Sequence, residues 1–239
     1  IGGLLLTCLS SWNVRQELQT SHLREFEWAA ADRIQSVRSV VGQGLDALEE
    51  MPALFHSAQA VDENEFQVFA GSLLERRPYI DSLLWAPLLI SPRQGSPRTA
   101  PAGSGPDEAA STGELRVPVL LSASRTGPGL EPGVDLNATG ELAALFKRAR
   151  ESGTVAVSGR MELAQAGGAA IHVVYAALPL YATGESQRAI AAGASGKRPD
   201  PLGFVIGIYN IEKMIHVAIS LLEPRGVEVL VRDESGVGD

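Results

Sequence analysis

Ile171–Tyr181 reads IHVVYAALPLY, a run in which nine of eleven residues are apolar and only His172 and Pro179 interrupt. Its length, its β-branched and aromatic content and the turn-rich stretches on either side predict a strand buried on both faces. A second run of the same character, Leu202–Tyr209 (LGFVIGIY), follows a Gly/Ala/Pro/Ser-rich loop over Thr183–Pro201. Just upstream, Thr154–Ser158 and Arg160–Gln165 read as short strands, and Gly167-Gly168 turns the chain into the long apolar run.

Further upstream the pattern changes period. Leu23, Phe26, Ala30, Ile34, Val37, Val41, Leu45, Leu48, Met51 and Phe55 fall three or four residues apart, and no proline precedes Pro52. This spacing predicts a long helix over 11–60, with a bend favoured at Gly42 and Gly44 and a stripe able both to cover its own domain and to pair with a second copy. Asp62 and Glu65 stand in capping-box positions for a second helix through Glu75. Tyr79–Ile90 reads as a strand. Ser91–Glu114 reads as a long exposed loop, since half of its 24 residues are Ser, Pro or Gly. Leu115–Ser124 (LRVPVLLSAS) returns to strand character, with Pro118 marking an edge or a bulge. Thr139 is placed to cap a helix through Ser152, whose Leu142, Leu145, Phe146 and Ala149 share one face. Ile211–Leu222 reads as an amphipathic helix and Val227–Val231 as the start of a strand. Strands joined by short turns, with helices kept to one side, imply an α+β fold built on antiparallel sheet.

Composition narrows the function. A formal net charge of -8 and the lack of any Lys/Arg-rich run argue against a nucleic-acid partner. One cysteine, Cys8, and four scattered histidines offer no metal-ligand spacing, and no cofactor motif is present. No G-x-S-x-G, HExxH or P-loop pattern occurs, and a histidine within an apolar strand, such as His172, reads as structural; this region is not expected to be an enzyme. The apolar, uncharged start IGGLLLTCL, with Trp12 just beyond it, is too short to span a bilayer but fits the outer end of a transmembrane helix over residues 1–10.

Several segments in order, FQVFAGSLLERRPYIDSLLWAP, RVPVLLS, GVDL followed by ALFKRARESG, ALPLY and GFVIGIYNIEKMI, resemble the CHASE domain. The resemblance covers nearly the whole chain. It implies an extracytoplasmic ligand-sensing module held between transmembrane helices, as in plant cytokinin-receptor histidine kinases and many bacterial kinases and cyclases. It also implies a long stalk helix followed by two PAS-like subdomains, with the ligand in the one farther from the membrane. On this chain the distal subdomain falls at 61–182, while 183–239 holds a linker loop and the incomplete start of the proximal one. Where cytokinin receptors carry an adenine-binding aspartate, this chain carries Ser124, whose hydroxyl has no charge; cytokinin is therefore not the expected ligand.

These readings make the chain the small-molecule sensor of an inner-membrane receptor, exposed to the periplasm or the outside, homodimeric and signalling to a cytoplasmic kinase or cyclase. The other reading is a structural or protein-interaction module that docks a periplasmic partner. Candidate ligand contacts are Tyr79, Trp85, Val117, Val119, Leu121, Ser124, Arg125, Leu163, Val174 and Tyr175. Each apolar member fits core packing as well as a pocket wall, whereas the Arg125 guanidinium could clamp a carboxylate. Asp135, in GVDL, reads as a turn brace.

Overall fold

A computed structural model of the chain describes residues 2–57, 61–91, 114–125, 130–164, 170–182, 199–220 and 222, and side chains from residue 27 onward except at 56, 57, 91 and 114. Helix α1 (Gly2–Ser57) runs unbroken for 56 residues, roughly 84 Å at 1.5 Å per residue. The helix expected over 11–60 continues through Gly42 and Gly44 without interruption. From Ala29 on, α1 turns Ala29, Val40, Ala47, Leu48 and Met51 inward. Two residues of the expected inward stripe, Ile34 and Val41, are instead 54% and 38% exposed, because the buried face is centred on the neighbouring Val40 and Ala47. Among the described residues no helix is long and apolar enough to cross a membrane.

Helix α2 (Glu63–Arg76) begins with the expected capping box. The Asp62 carboxylate accepts from the Glu65 amide at 2.7 Å, and the Glu65 side chain accepts from the Asp62 amide at 3.4 Å. Two of the first-turn amides that the helix cannot satisfy internally thereby gain partners. Phe66, Ala70, Leu73 and Leu74 are its buried face.

The strands are β1 (Ile80–Pro87), β2 (Leu89–Ser91), β3 (Glu114–Arg116), β4 (Leu121–Ser124), β5 (Ala156–Val157), β6 (Met161–Ala164), β7 (Ala170–Leu180) and β8 (Gly203–Asn210). Helix α3 (Gly140–Ser152) precedes β5, and α4 (Ile211–Ser220) follows β8. The main sheet is antiparallel, in the order β4-β1-β8-β7-β5, with β6 also on β7; β2 and β3 form a separate ribbon. Pro118 explains why LRVPVLLSAS is two strands rather than one. Lacking an N–H, it ends the ladder after Arg116 and makes only an isolated bridge to Asp135.

Leu202–Tyr209 was expected to open a second subdomain beyond residue 182, yet β8 lies at the centre of the first sheet, between β1 and β7. Every residue of β8 is buried, which requires a bonded neighbour on each edge and a packed layer on each face. Both apolar runs therefore belong to one sheet, adjacent and in register from Val173↔Asn210 to Leu180↔Gly203. The strand expected over 227–231, and most of the loops at 91–114 and 183–201, lie outside the described residues.

Two cores flank this sheet. On one face α1, α2 and α4 pack against Ile80, Leu83, Trp85, Val205 and Tyr209. On the other, the apolar face of α3 packs against Leu84, Val117, Val119, Val173, Tyr175, Phe204 and Ile206. The Phe146 ring of α3 meets Phe204 of β8 at a centroid distance of 4.9 Å.

Candidate functional site

The two faces sort the ten candidate residues. Tyr79, Trp85, Leu121 and Val174 point to the α1 layer, and Val117, Val119, Leu163 and Tyr175 to the α3 layer. Alternation along a strand sends neighbours to opposite faces, so Val174 and Tyr175 cannot line one cavity. Trp85 is wedged in the α1-side core, its ring 4.6 Å from that of Phe55. Tyr79 is buried beside Gly44.

Ser124 and Arg125 stand at the end of β4, beside the start of β1. The Ser82 hydroxyl donates to Ser124 Oγ at 3.2 Å. The Arg125 guanidinium donates to the carbonyls of Ile80 at 3.4 Å and Arg77 at 3.2 Å, and its amide donates to the Asp81 carbonyl at 2.9 Å. In this arrangement Arg125 anchors the α2–β1 connection. Next to it, β1 shifts register between Ile80 and Ser82. The bulge directs the Asp81 carboxylate, 3% exposed as a residue, to α4, where Lys213 Nζ donates at 2.7 Å.

The α3 face gathers four of the candidates. Val117 and Val119 reach it from the segment after β3, Leu163 from β6 and Tyr175 from the middle of β7. Tyr175 is its phenol, and burial raises the Tyr175 pKa above the ordinary tyrosine value. The Ser158 hydroxyl accepts from the Tyr175 amide at 2.9 Å and holds this part of β7 to the segment after β5.

Asp135 secures the wall of this face. Its carboxylate accepts from the Val117 amide at 2.9 Å, the Arg116 guanidinium at 2.9 Å and the Asn137 amide at 3.1 Å, capping the short 3₁₀ turn Leu136–Ala138. Burial pushes its pKa upward, but these three donors and the Arg116 charge outweigh it and hold the carboxyl below its usual range. The turn-brace reading of GVDL is what the structure shows. Thr139 occupies the N-cap of α3, although its side chain makes no capping bond.

A constellation that the sequence reading passed over lies on the α1 side. The Tyr209 hydroxyl donates to the Gly44 carbonyl at 2.8 Å, and Arg77 Nε donates to the adjacent Gln43 carbonyl at 3.1 Å. Burial first, and then Tyr79, raise the Tyr209 pKa, with Arg77 opposing. Tyr79 is raised likewise by burial, with Arg77 opposing and Asp46 adding. The signal was present as Gly207-Ile208-Tyr209: a glycine inside a buried strand marks a close approach by another group.

His172 lies between two carboxylates, with Nε2 3.8 Å from Glu162 and Nδ1 3.5 Å from Glu212. Among the described residues no group of three or more His, Cys, Asp or Glu side chains is placed to hold a metal ion.

A central antiparallel sheet in this strand order, with helices on both faces and a long helix leading in, makes an α+β domain. The CHASE domain model matches residues 59–238, and the chain belongs to that family. The CHASE domain is a sensor module, not a catalytic one. No curated protein matches the chain in sequence. Among solved structures, the chain is similar to methyl-accepting chemotaxis protein X, at 15% identity over 84% of this chain and 67% of that one, with a TM-score of 0.47. It is also similar to the ligand-binding domain of the Pseudomonas aeruginosa PAO1 amino acid chemoreceptor PctC in complex with GABA, at 14% identity over 84% and 74% of the two chains, with a TM-score of 0.46.

Proposed function

We propose that this chain is the extracytoplasmic small-molecule sensor of a transmembrane receptor. It is anchored in the inner membrane through flanking helices and passes ligand binding through α1 to a cytoplasmic output domain such as a histidine kinase or nucleotide cyclase. The observation that carries this reading is the continuity of α1: the helix that walls the sheet's core at Val40–Met51 runs unbroken back to Gly2. A change in how the sheet packs therefore acts on one end of a stiff rod.

We place the ligand between α3 and the sheet, where Val117, Val119, Leu163 and Tyr175 combine apolar walls with one buried phenol and pack against α3, so that binding requires α3 to give way. The α1 face is engaged by three helices and serves as the transmitting layer. Ligand binding biases the output only through its preference for one of two packings, so the contacted groups must move. Ile34 and Val41, seven residues apart and exposed, support pairing of α1 with a second copy.

The test is a thermal-shift screen of the purified chain against a broad metabolite set. A ligand present at 100 times its Kd adds about 2.7 kcal/mol, which for a chain of this size raises Tm by roughly 5–10 °C. A screen without a stabilising metabolite would remove the sensing reading.

A further inference from the structure

Tyr209 lies in a slot made by two glycines. A Cβ placed on Gly207, two residues back on the same face of β8, would sit 2.6 Å from Tyr209 Cε2 and 2.8 Å from its hydroxyl oxygen. A Cβ on Gly44 of α1 would sit 3.1 Å from Tyr209 Cε1 and 3.2 Å from Tyr79 Cε2. The ring thus lies back along its own strand and reaches the helix backbone, where its hydroxyl bonds the Gly44 carbonyl. Arg77, just before β1, takes the preceding carbonyl at Gln43 and also pairs with Glu50 one to two turns on, at 2.5 Å. The start of β1 and the end of β8 are themselves tied by the Asn210 amide, which donates to the Tyr79 carbonyl at 2.9 Å.

Two donors, Tyr209 from β8 and Arg77 from the C-cap of α2, therefore grip consecutive carbonyls of one helical turn. In an α-helix those carbonyls also accept from the amides four residues on, Ala47 and Leu48, both fully buried. Side chains that bond the helix backbone cannot slide along it as apolar contacts can, because bond geometry is lost within a few tenths of an ångström. β8 is also the strand whose other face, at Phe204, meets α3.

From this geometry we propose that Tyr209 is the positioning residue that couples the sheet to α1, carrying displacements of β8 from the α3 side to the Gln43–Gly44 turn, with Arg77 as its second grip. The inference rests on the reading of α1 as the transmitting helix. It names the point at which transmission enters that helix.

The experiment needs no ligand. Amide chemical shifts of Ala47 and Leu48 are recorded by NMR on the 239-residue chain, with and without Phe204→Leu on the α3 side, in the native and Tyr209→Phe backgrounds. Tyr209→Phe keeps the ring and removes only the hydroxyl. The expected result is that Phe204→Leu shifts both amides in the native background and that the shift falls at least twofold in Tyr209→Phe. Arg77→Lys, which keeps the charge but loses the Nε donor, is expected to attenuate it also and supplies the test should Tyr209→Phe fold poorly. A merely structural role for Tyr209 gives equal responses in both backgrounds. That result, or no response in either, would overturn the proposal. A failed metabolite screen would strike the sensing reading and leave this coupling standing, so the two failures are distinguishable.

Discussion

Truncating Trp85 separates a core residue from a ligand contact. The side chain is about nine-tenths buried, since Trp85 is 9% exposed, and it packs on Phe55 of α1. An aromatic side chain of this kind buries roughly 200 Å², which at about 25 cal/mol per Å² gives roughly 5 kcal/mol. Measured Trp→Ala changes in cores run at about 3–5 kcal/mol, so about 4 kcal/mol is expected for Trp85→Ala. With a urea m-value of about 2.5 kcal/mol per molar, the unfolding midpoint falls by about 1.6 M. That loss is a large part of a domain's usual total of about 5–15 kcal/mol. The assay is urea unfolding followed by far-UV circular dichroism, with Tyr175→Phe as the comparison, because deleting one hydroxyl on the α3 face costs about 1 kcal/mol. A midpoint shift below about 0.4 M for Trp85→Ala, the equivalent of 1 kcal/mol, would refute its placement as a packed link between sheet and helix.

Other perturbations have defined outcomes. Asp135→Asn leaves the Arg116 guanidinium and two amides with a weaker acceptor and is expected to cost about 2 kcal/mol at pH 7 by urea unfolding. Because the folded Asp135 pKa is lowered, its contribution is present above the unfolded value near 3.9 and disappears as pH falls through the folded value; the deficit of Asp135→Asn should therefore vanish in acid. Lys213→Met strands the buried Asp81 carboxylate and is expected to cost about 3 kcal/mol by the same assay, with part recovered on adding Asp81→Asn. At high pH, Tyr209, whose folded pKa is raised, loses its stabilising effect as pH climbs past the unfolded tyrosine value near 10, so Tyr209→Phe should flatten the alkaline limb of the stability curve. Ile34→Glu paired with Val41→Glu should shift the chain from dimer to monomer in sedimentation while leaving its unfolding midpoint within about 0.5 kcal/mol, as expected for exposed positions.

What the sequence reveals follows the range of the interaction. Local signals read true: the capping box at Asp62 and Glu65, the α3 face from Leu142 to Ala149 and the Asp135–Asn137 turn all depend on residues close in the chain. The placement of β8 does not, because its partners are about 120 residues away in β1 and across a long loop in β7. LGFVIGIY announces burial on both faces without saying in which sheet. The candidate site suffered for the same reason: Val174 and Tyr175 are neighbours in sequence and on opposite faces in the fold. Gly44 was legible as a weak helix position but not as a docking point, since its use is set by Tyr209, 165 residues on. The glycine two residues before that tyrosine was the one available hint.

Sensing of a small molecule on the α3 face of this CHASE domain is a proposal. It is tested most directly by mapping amide shifts when the strongest stabilising metabolite is titrated into the chain. The expected result is a saturable cluster at Val117, Val119, Leu163 and Tyr175, with a smaller response at Ala47 and Leu48 across the sheet. Saturable shifts confined to the outer surfaces of α1 or α4, with the α3-face residues unmoved, would contradict it.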